Sequence, residues 1–190
     1  GENGPIGNEF TISRNDVVAL EGVVESGLGG AFGVAWSQKD EAVPTNSENV
    51  YVRMFNEEGL PSGDPARLNT YLPSSQNWPR LAHVGGEFMS LWNSANQDAQ
   101  GEGVRGRLLS GGSEFGVNTQ ENYDQSMCVL DGDGVQTFLA VWVNTIRADH
   151  SILSAQRYRL GNGTLAPEEV DVAAGPIEIV GEEPVQRQTN

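Results

Sequence analysis

Cysteine, lysine, histidine and long apolar runs are all scarce in this 190-residue chain, and each shortage closes off a class of function. The single cysteine, Cys128, leaves no internal disulfide and no thiolate metal cluster. Set in an apolar run, it reads as a buried and inert thiol. Lys39 is the one lysine among 11 bases, and 26 acids set the formal charge at -15. Such a surface repels phosphate backbones and anionic lipid, so neither nucleic acid nor a membrane surface is an expected partner. No run approaches the roughly 18 apolar residues of a membrane span. The opening GENGPIG resembles the mature end left when a signal peptide is removed, which gives an expectation of secretion. The two histidines, His83 and His150, belong to no metal-ligand spacing such as HExxH. There is no GxSxG elbow and no phosphate-binding glycine loop. The chain therefore reads as a binding module rather than an enzyme. A hydrolase built from loop carboxylates stays as an alternative, because a pair can always be found among 26 acids.

What the chain does have is a stretch that appears three times. It reads GGAFGVAW to Trp36, GGEFMSLW to Trp92 and VQTFLAVW to Trp142. Residues two apart share a face of a strand, and here both faces are apolar or small, as expected of a strand covered on both sides. Each tryptophan ends such a strand and reads as packing between repeats. The spacing of 50 to 56 residues between tryptophans is the size of a four-stranded propeller blade. The expected fold is all-β: a propeller-like array of four-stranded antiparallel blades, with three full repeats and a partial fourth. Blade 1 covers about 9–59, blade 2 about 61–112, blade 3 about 113–163, and a partial blade 164–180, before a polar tail at 181–190. Within blade 1 the expected strands are 9–12, 17–24, the GGAFGVAW stretch and 50–55. Three blades cannot close a ring alone. A closed four-bladed monomer, a larger ring closed by homodimerisation and a piece of a longer array all remain open.

Matches extend past the tryptophans. Glu9 and Phe10 recur as Glu114 and Phe115, Asn69 and Thr70 as Asn118 and Thr119, and Gln76 as Gln125. This unit of Glu-Phe, Asn-Thr, Gln, Gly-Gly-x-Phe, Trp and Arg resembles the roughly 50-residue propeller-like repeats of large secreted bacterial surface and adhesin proteins. The resemblance covers most of residues 9 to 165 and implies an extracellular or cell-surface module used for binding or architecture. It supplies no ligand and no binding residues.

Candidate residues come from position. Trp78 stands outside the tryptophan pattern, with Cys128 near the equivalent place in the third copy, and Tyr123 also lies beside a polar turn. These two are the aromatics best placed to stack on a sugar. Arg53, Arg107 and Arg157 follow their tryptophans by 15 to 17 residues. A ring of guanidinium groups would suit a carboxylated or sulfated glycan, against the alternative of pairing with carboxylates such as Glu9 and Glu114. Asp40, Asp98 and Asp149 recur in loops, and the third copy adds Asp131 and Asp133 in a DGDG segment. That segment reads either as a hairpin turn or as part of a Ca²⁺ site, to which it brings too few of the six to eight oxygens needed. The expected partner is a glycan or another surface protein, the alternative role a structural subunit of an extracellular assembly.

Overall fold

A computed structural model of the chain describes residues 8–14, 16–39, 47–98, 101–119 and 121–168. Twelve strands form three four-stranded antiparallel sheets, each built from consecutive strands. The first sheet holds β1 (Ala19–Ser26), β2 (Phe32–Lys39), β3 (Glu48–Phe55) and β4 (Ala66–Arg67). The second holds β5 (Gln76–Val84), β6 (Glu87–Ala95), β7 (Glu102–Leu108) and β8 (Phe115–Gly116). The third holds β9 (Asp124–Gly132), β10 (Thr137–Arg147), β11 (His150–Gly161) and β12 (Thr164–Glu168). Among the described residues no pairing closes these sheets into a ring, and no helix is long and apolar enough to cross a membrane.

The repeated Phe-to-Trp stretches are β2, β6 and β10, the second strand of each sheet. Their alternation sends one tryptophan per sheet onto its neighbour. Trp92 packs with Ala35, Val50, Val52 and Leu68 of the first sheet. Trp142 joins Leu91, Val104 and Val117 of the second. Trp36 has no such sheet to meet, and lies with Val34 and Phe55 under Ile12. The second sheet thus lies between the other two, and its first strand β5 packs against both β1 and β9. Each indole N–H finds an amide oxygen: Gln38 for Trp36 at 2.9 Å, Gln76 for Trp92 at 3.2 Å and Asn144 for Trp142 at 3.2 Å. A buried indole needs such an acceptor, which explains amide side chains inside strands that are otherwise apolar.

The sheets divide the chain one strand later than the repeat does. Ala66–Arg67, expected to open the second blade, pairs with Tyr51 and Val52 as the outermost strand of the first sheet. Phe115–Gly116 likewise pairs with β7, and Thr164–Glu168 with β11. Residues 9–12, expected as a first strand, join no ladder, and β1 is the innermost strand of its sheet. The physical reason lies in the connection after β3. Asn56 Oδ1 accepts the Glu58 and Leu60 N–H groups, the Ser62 N–H bonds the Met54 carbonyl, and Arg53 Nε grips the Gly63 carbonyl at 3.0 Å. The chain is folded back on the strand it has just left. A sequence period shows the length of such a unit without showing where it is cut. The partial blade expected over 164–180 and the polar tail fall outside the described residues after 168.

The Asn-Thr motif has a structural task. Asn69 Oδ1 accepts the Val50 N–H at 2.9 Å, and Asn118 Oδ1 accepts the Val104 N–H at 2.8 Å. Each amide carries the ladder one residue beyond the end of its short outermost strand.

Candidate functional site

Each innermost strand breaks its ladder at the same place. The register slips between Leu20 and Val23 in β1, between Asn77 and Arg80 in β5, and in β9 opposite the step from Val141 to Val143. At each slip one residue takes a left-handed backbone: Glu21 with φ 55°, Trp78 with φ 53° and Met127 with φ 54°. A bulky residue there costs about 1–3 kcal/mol. Bulges of this kind re-aim a side chain, and they concentrate beside functional sites. One bulge would be an irregularity. Three in register, on strands that pack side by side, make a feature.

The bulges are joined through Trp78. Its N–H donates to Glu21 Oε2 at 2.8 Å, and its carbonyl faces Cys128 Sγ at 4.0 Å. The Ser37 hydroxyl donates to the same Glu21 oxygen at 2.6 Å. The carboxylate is thus held at the junction of the first two sheets. The Trp78 side chain is 51% exposed and Met127 is 70% exposed. Chemically the row offers one carboxylate, one open indole face and one thioether.

Trp78 is therefore a sequence candidate that the structure places at a distinctive point, and its counterpart in the third sheet is Met127 rather than Cys128. Cys128 points the other way into the core, and burial pushes its thiol up to about 12. Tyr123 lies half-buried just ahead of β9, off the bulge. Glu21 and Met127 were not singled out from sequence. The available signal was the Glu21–Gly22 break in the apolar run from Val17 to Val24, where strict alternation fails.

The arginines do not form a ring. Arg53 Nη1 donates to the Ile12 carbonyl at 3.1 Å, and Arg107 donates to the carbonyls of Gly112 at 2.8 Å and Leu68 at 3.0 Å. Both guanidinium groups are spent on main chain. Phe32 pairs with Phe55 and Phe138 with Tyr158, so the register counterpart of Arg53 in the third sheet is Gln156. Arg157 pairs across from Leu139 and belongs to the opposite face. Equal spacing from the tryptophans concealed this shift because β10 and β11 are longer than their counterparts. Glu114, a suggested arginine partner, instead accepts from the Thr70 N–H and hydroxyl, each at 2.6 Å, and from Gln97 at 2.6 Å.

The DGDG segment is a hairpin device. Asp133 Oδ1 accepts the N–H groups of Val135, Gln136 and Thr137 at 2.8 to 2.9 Å, and these bonds hold its carboxyl down at about 2. Asp131 accepts from the Gly132 N–H at 2.8 Å. Gly132 is required by approach: a Cβ there would lie 2.3 Å from Val84 of the second sheet. Among the described residues no group of three His, Cys, Asp or Glu is placed to hold a metal. Asp149 pairs with Arg147 at 3.0 Å, Asp98 meets Asn118, and Asp40 lies outside the described residues.

No protein-family model and no curated protein matches this chain. Among solved structures it is similar to a thermostable family-43 glycoside hydrolase, at 10% identity and a TM-score of 0.56, with 86% of this chain and 62% of that one covered. It also aligns with a protein of unknown function from Dyadobacter fermentans at 14% identity and a TM-score of 0.49, covering 84% of this chain and 57% of that one. A third match, a PL25 polysaccharide lyase described as an ulvan lyase, has 14% identity and a TM-score of 0.47, over 83% and 44%. The chain spans less than two thirds of each of these proteins. At such identity the likeness to the hydrolase is one of fold.

Proposed function

We propose that this chain is a propeller-type, extracellular or cell-surface module that binds a glycan at the row of innermost-strand bulges. The observation that carries the reading is Trp78: a half-exposed indole on a left-handed bulge, with its backbone tied to both neighbouring strands. An indole fixed in this way offers a flat apolar face at low entropic cost, suited to the C–H face of a pyranose. The Glu21 carboxylate beside it is an acceptor for sugar hydroxyls. The likeness in fold to a glycoside hydrolase supports the assignment to carbohydrate without supplying a reaction.

The test is a glycan array run with calcium and again with chelator, on the native chain and on Trp78→Ala. Binding that Trp78→Ala weakens at least tenfold, about 1.4 kcal/mol, supports the site. Binding left intact by the substitution removes Trp78 from it, and silence across the array in both conditions removes the glycan. Because Asp133 already serves its own hairpin, chelator is expected to leave binding unchanged. A hydrolase is the second reading, favoured by the strained and doubly hydrogen-bonded Glu21. It predicts slow release of reducing ends from a bound polysaccharide, lost in Glu21→Gln while binding persists.

A further inference from the structure

The contact between neighbouring sheets occurs twice within the chain, and its two halves stand unmatched at the ends. On the receiving side, Val50 of the first sheet and Val104 of the second are fully buried beneath the following tryptophan. Val50 pairs with Ser37 and Val104 with Asn93, and the same register position in the third sheet is Leu153, paired with Val143. Leu153 is 75% exposed. Around it on the same face lie Leu139, Val141 and Val129, at places corresponding to the residues that receive Trp92 and Trp142.

On the presenting side stands the Trp36 face of the first sheet. Residues 9–12 hold part of it as a stand-in for the outermost strand of a preceding sheet. Phe10 tilts on Phe55 at 5.7 Å as Phe115 tilts on Tyr158 at 5.6 Å, and Arg53 bonds the Ile12 carbonyl as Arg107 bonds that of Leu68. Inside that stand-in, a groove of about 300 Å³ is lined by Phe10, Ile12, Leu20, Val34 and Trp36, with exposed Val24 on the same face. In the second and third sheets the corresponding space holds the inner strands of the neighbouring sheet.

We propose that a second copy of this chain docks head to tail, its third sheet seated on the Trp36 face of the first copy. A second copy is the occupant because every molecule carries both halves of a contact it already makes twice internally, and the interface continues an established one. The outermost place is already taken by residues 9–12, so the incoming β11 accepts them there in place of its own Thr164–Glu168. Such a contact is heterologous, and it closes a ring when the rotation per sheet allows.

Solution mass against concentration tests this on the native chain and on two surface variants, Leu153→Glu and Val24→Glu. The native chain is expected at a multiple of its 20.4 kDa. Each variant alone is expected as a folded monomer, judged by near-ultraviolet circular dichroism, and the two mixed are expected to form a one-to-one dimer, since one intact half survives on each. A native chain monomeric at every concentration, which would include a face covered by the chain's own remaining residues, overturns the proposal. So does a variant that still associates alone, or a mixture that does not. If Leu153→Glu fails to fold, Leu139→Ser replaces it with the same expected outcomes.

Discussion

Between the first and second sheets Arg107 crosses to the Leu68 carbonyl, whereas between the second and third the same register position holds Gln156. The rest of the plan is shared: a tryptophan seated on small and branched residues, an asparagine extending the outermost strand, and a hairpin glycine meeting the neighbouring sheet. Gln156 Nε2 turns to the Arg157 carbonyl at 2.8 Å. An apolar groove of about 370 Å³ remains between β8 and the third sheet, lined by Val117, Gln156, Tyr158 and Leu165, against about 240 Å³ at the seam that Arg107 fills. The guanidinium is long enough to bridge the seam and the amide is not. The seams thus differ in how they are fastened while their apolar packing is alike.

The largest test of that shared packing is Trp92→Ala, which empties a fully buried site between two sheets and is expected to cost about 3–5 kcal/mol in denaturant unfolding. A Trp36→Ala loss of similar size would mean that the end face is as well packed as an internal seam. Arg107→Leu is next, at about 1.5–3 kcal/mol, because two carbonyls lose a charged donor. Arg157→Leu, on the opposite face, should change stability by about 0.5 kcal/mol or less. Equal losses at the two positions would break the argument from register. Gln156→Arg should fasten the second seam as the first is fastened, for a gain of about 1 kcal/mol and a rise of about 2–4 °C in Tm.

Cys128 provides a reporter in that second seam. With its thiol pushed up to about 12 by burial, it should resist thiol reagents at pH 8 in the folded chain and react on unfolding. Faster labelling in Leu130→Ala than in Val52→Ala would locate opening at the second seam. The smallest effect concerns Asp133. Its folded value of about 2 lies below the ordinary 3.8, so its contribution is fully present above 3.8 and is lost as pH falls through about 2. Asp133→Asn should flatten the acid limb of the unfolding curve over that window, and an unchanged limb would show that the hairpin does not use the charge.

The sheet content was legible because Phe-to-Trp stretches with two apolar faces have few other uses, and the positions of β2, β6 and β10 follow directly. The assignment of Ala66–Arg67 to a sheet was not legible, since a two-residue strand has no pattern of its own and its pairing rests on side chains of Asn56 and Arg53. At the candidate site, Trp78 was visible as an aromatic outside the repeat, whereas Glu21 and Met127 share no chemistry with it. What they share is a backbone angle, which three different side chains conceal. Arg157 is the reverse case, a matching residue type at a mismatched register.

The offset between repeat and sheet has a bearing on cooperativity. A stretch of chain from β4 through β7 carries the last strand of one sheet and the first three of the next, so Leu68, Trp92 and Arg107 meet within a single repeat. A sheet is then completed only when the following repeat has folded, as a button on one panel needs the hole in the next. Fragments cut between sheets would split each repeat, and those cut between repeats would leave a sheet without its edge. No boundary in the chain frees one sheet without cost to its neighbour, so the three should melt in a single transition.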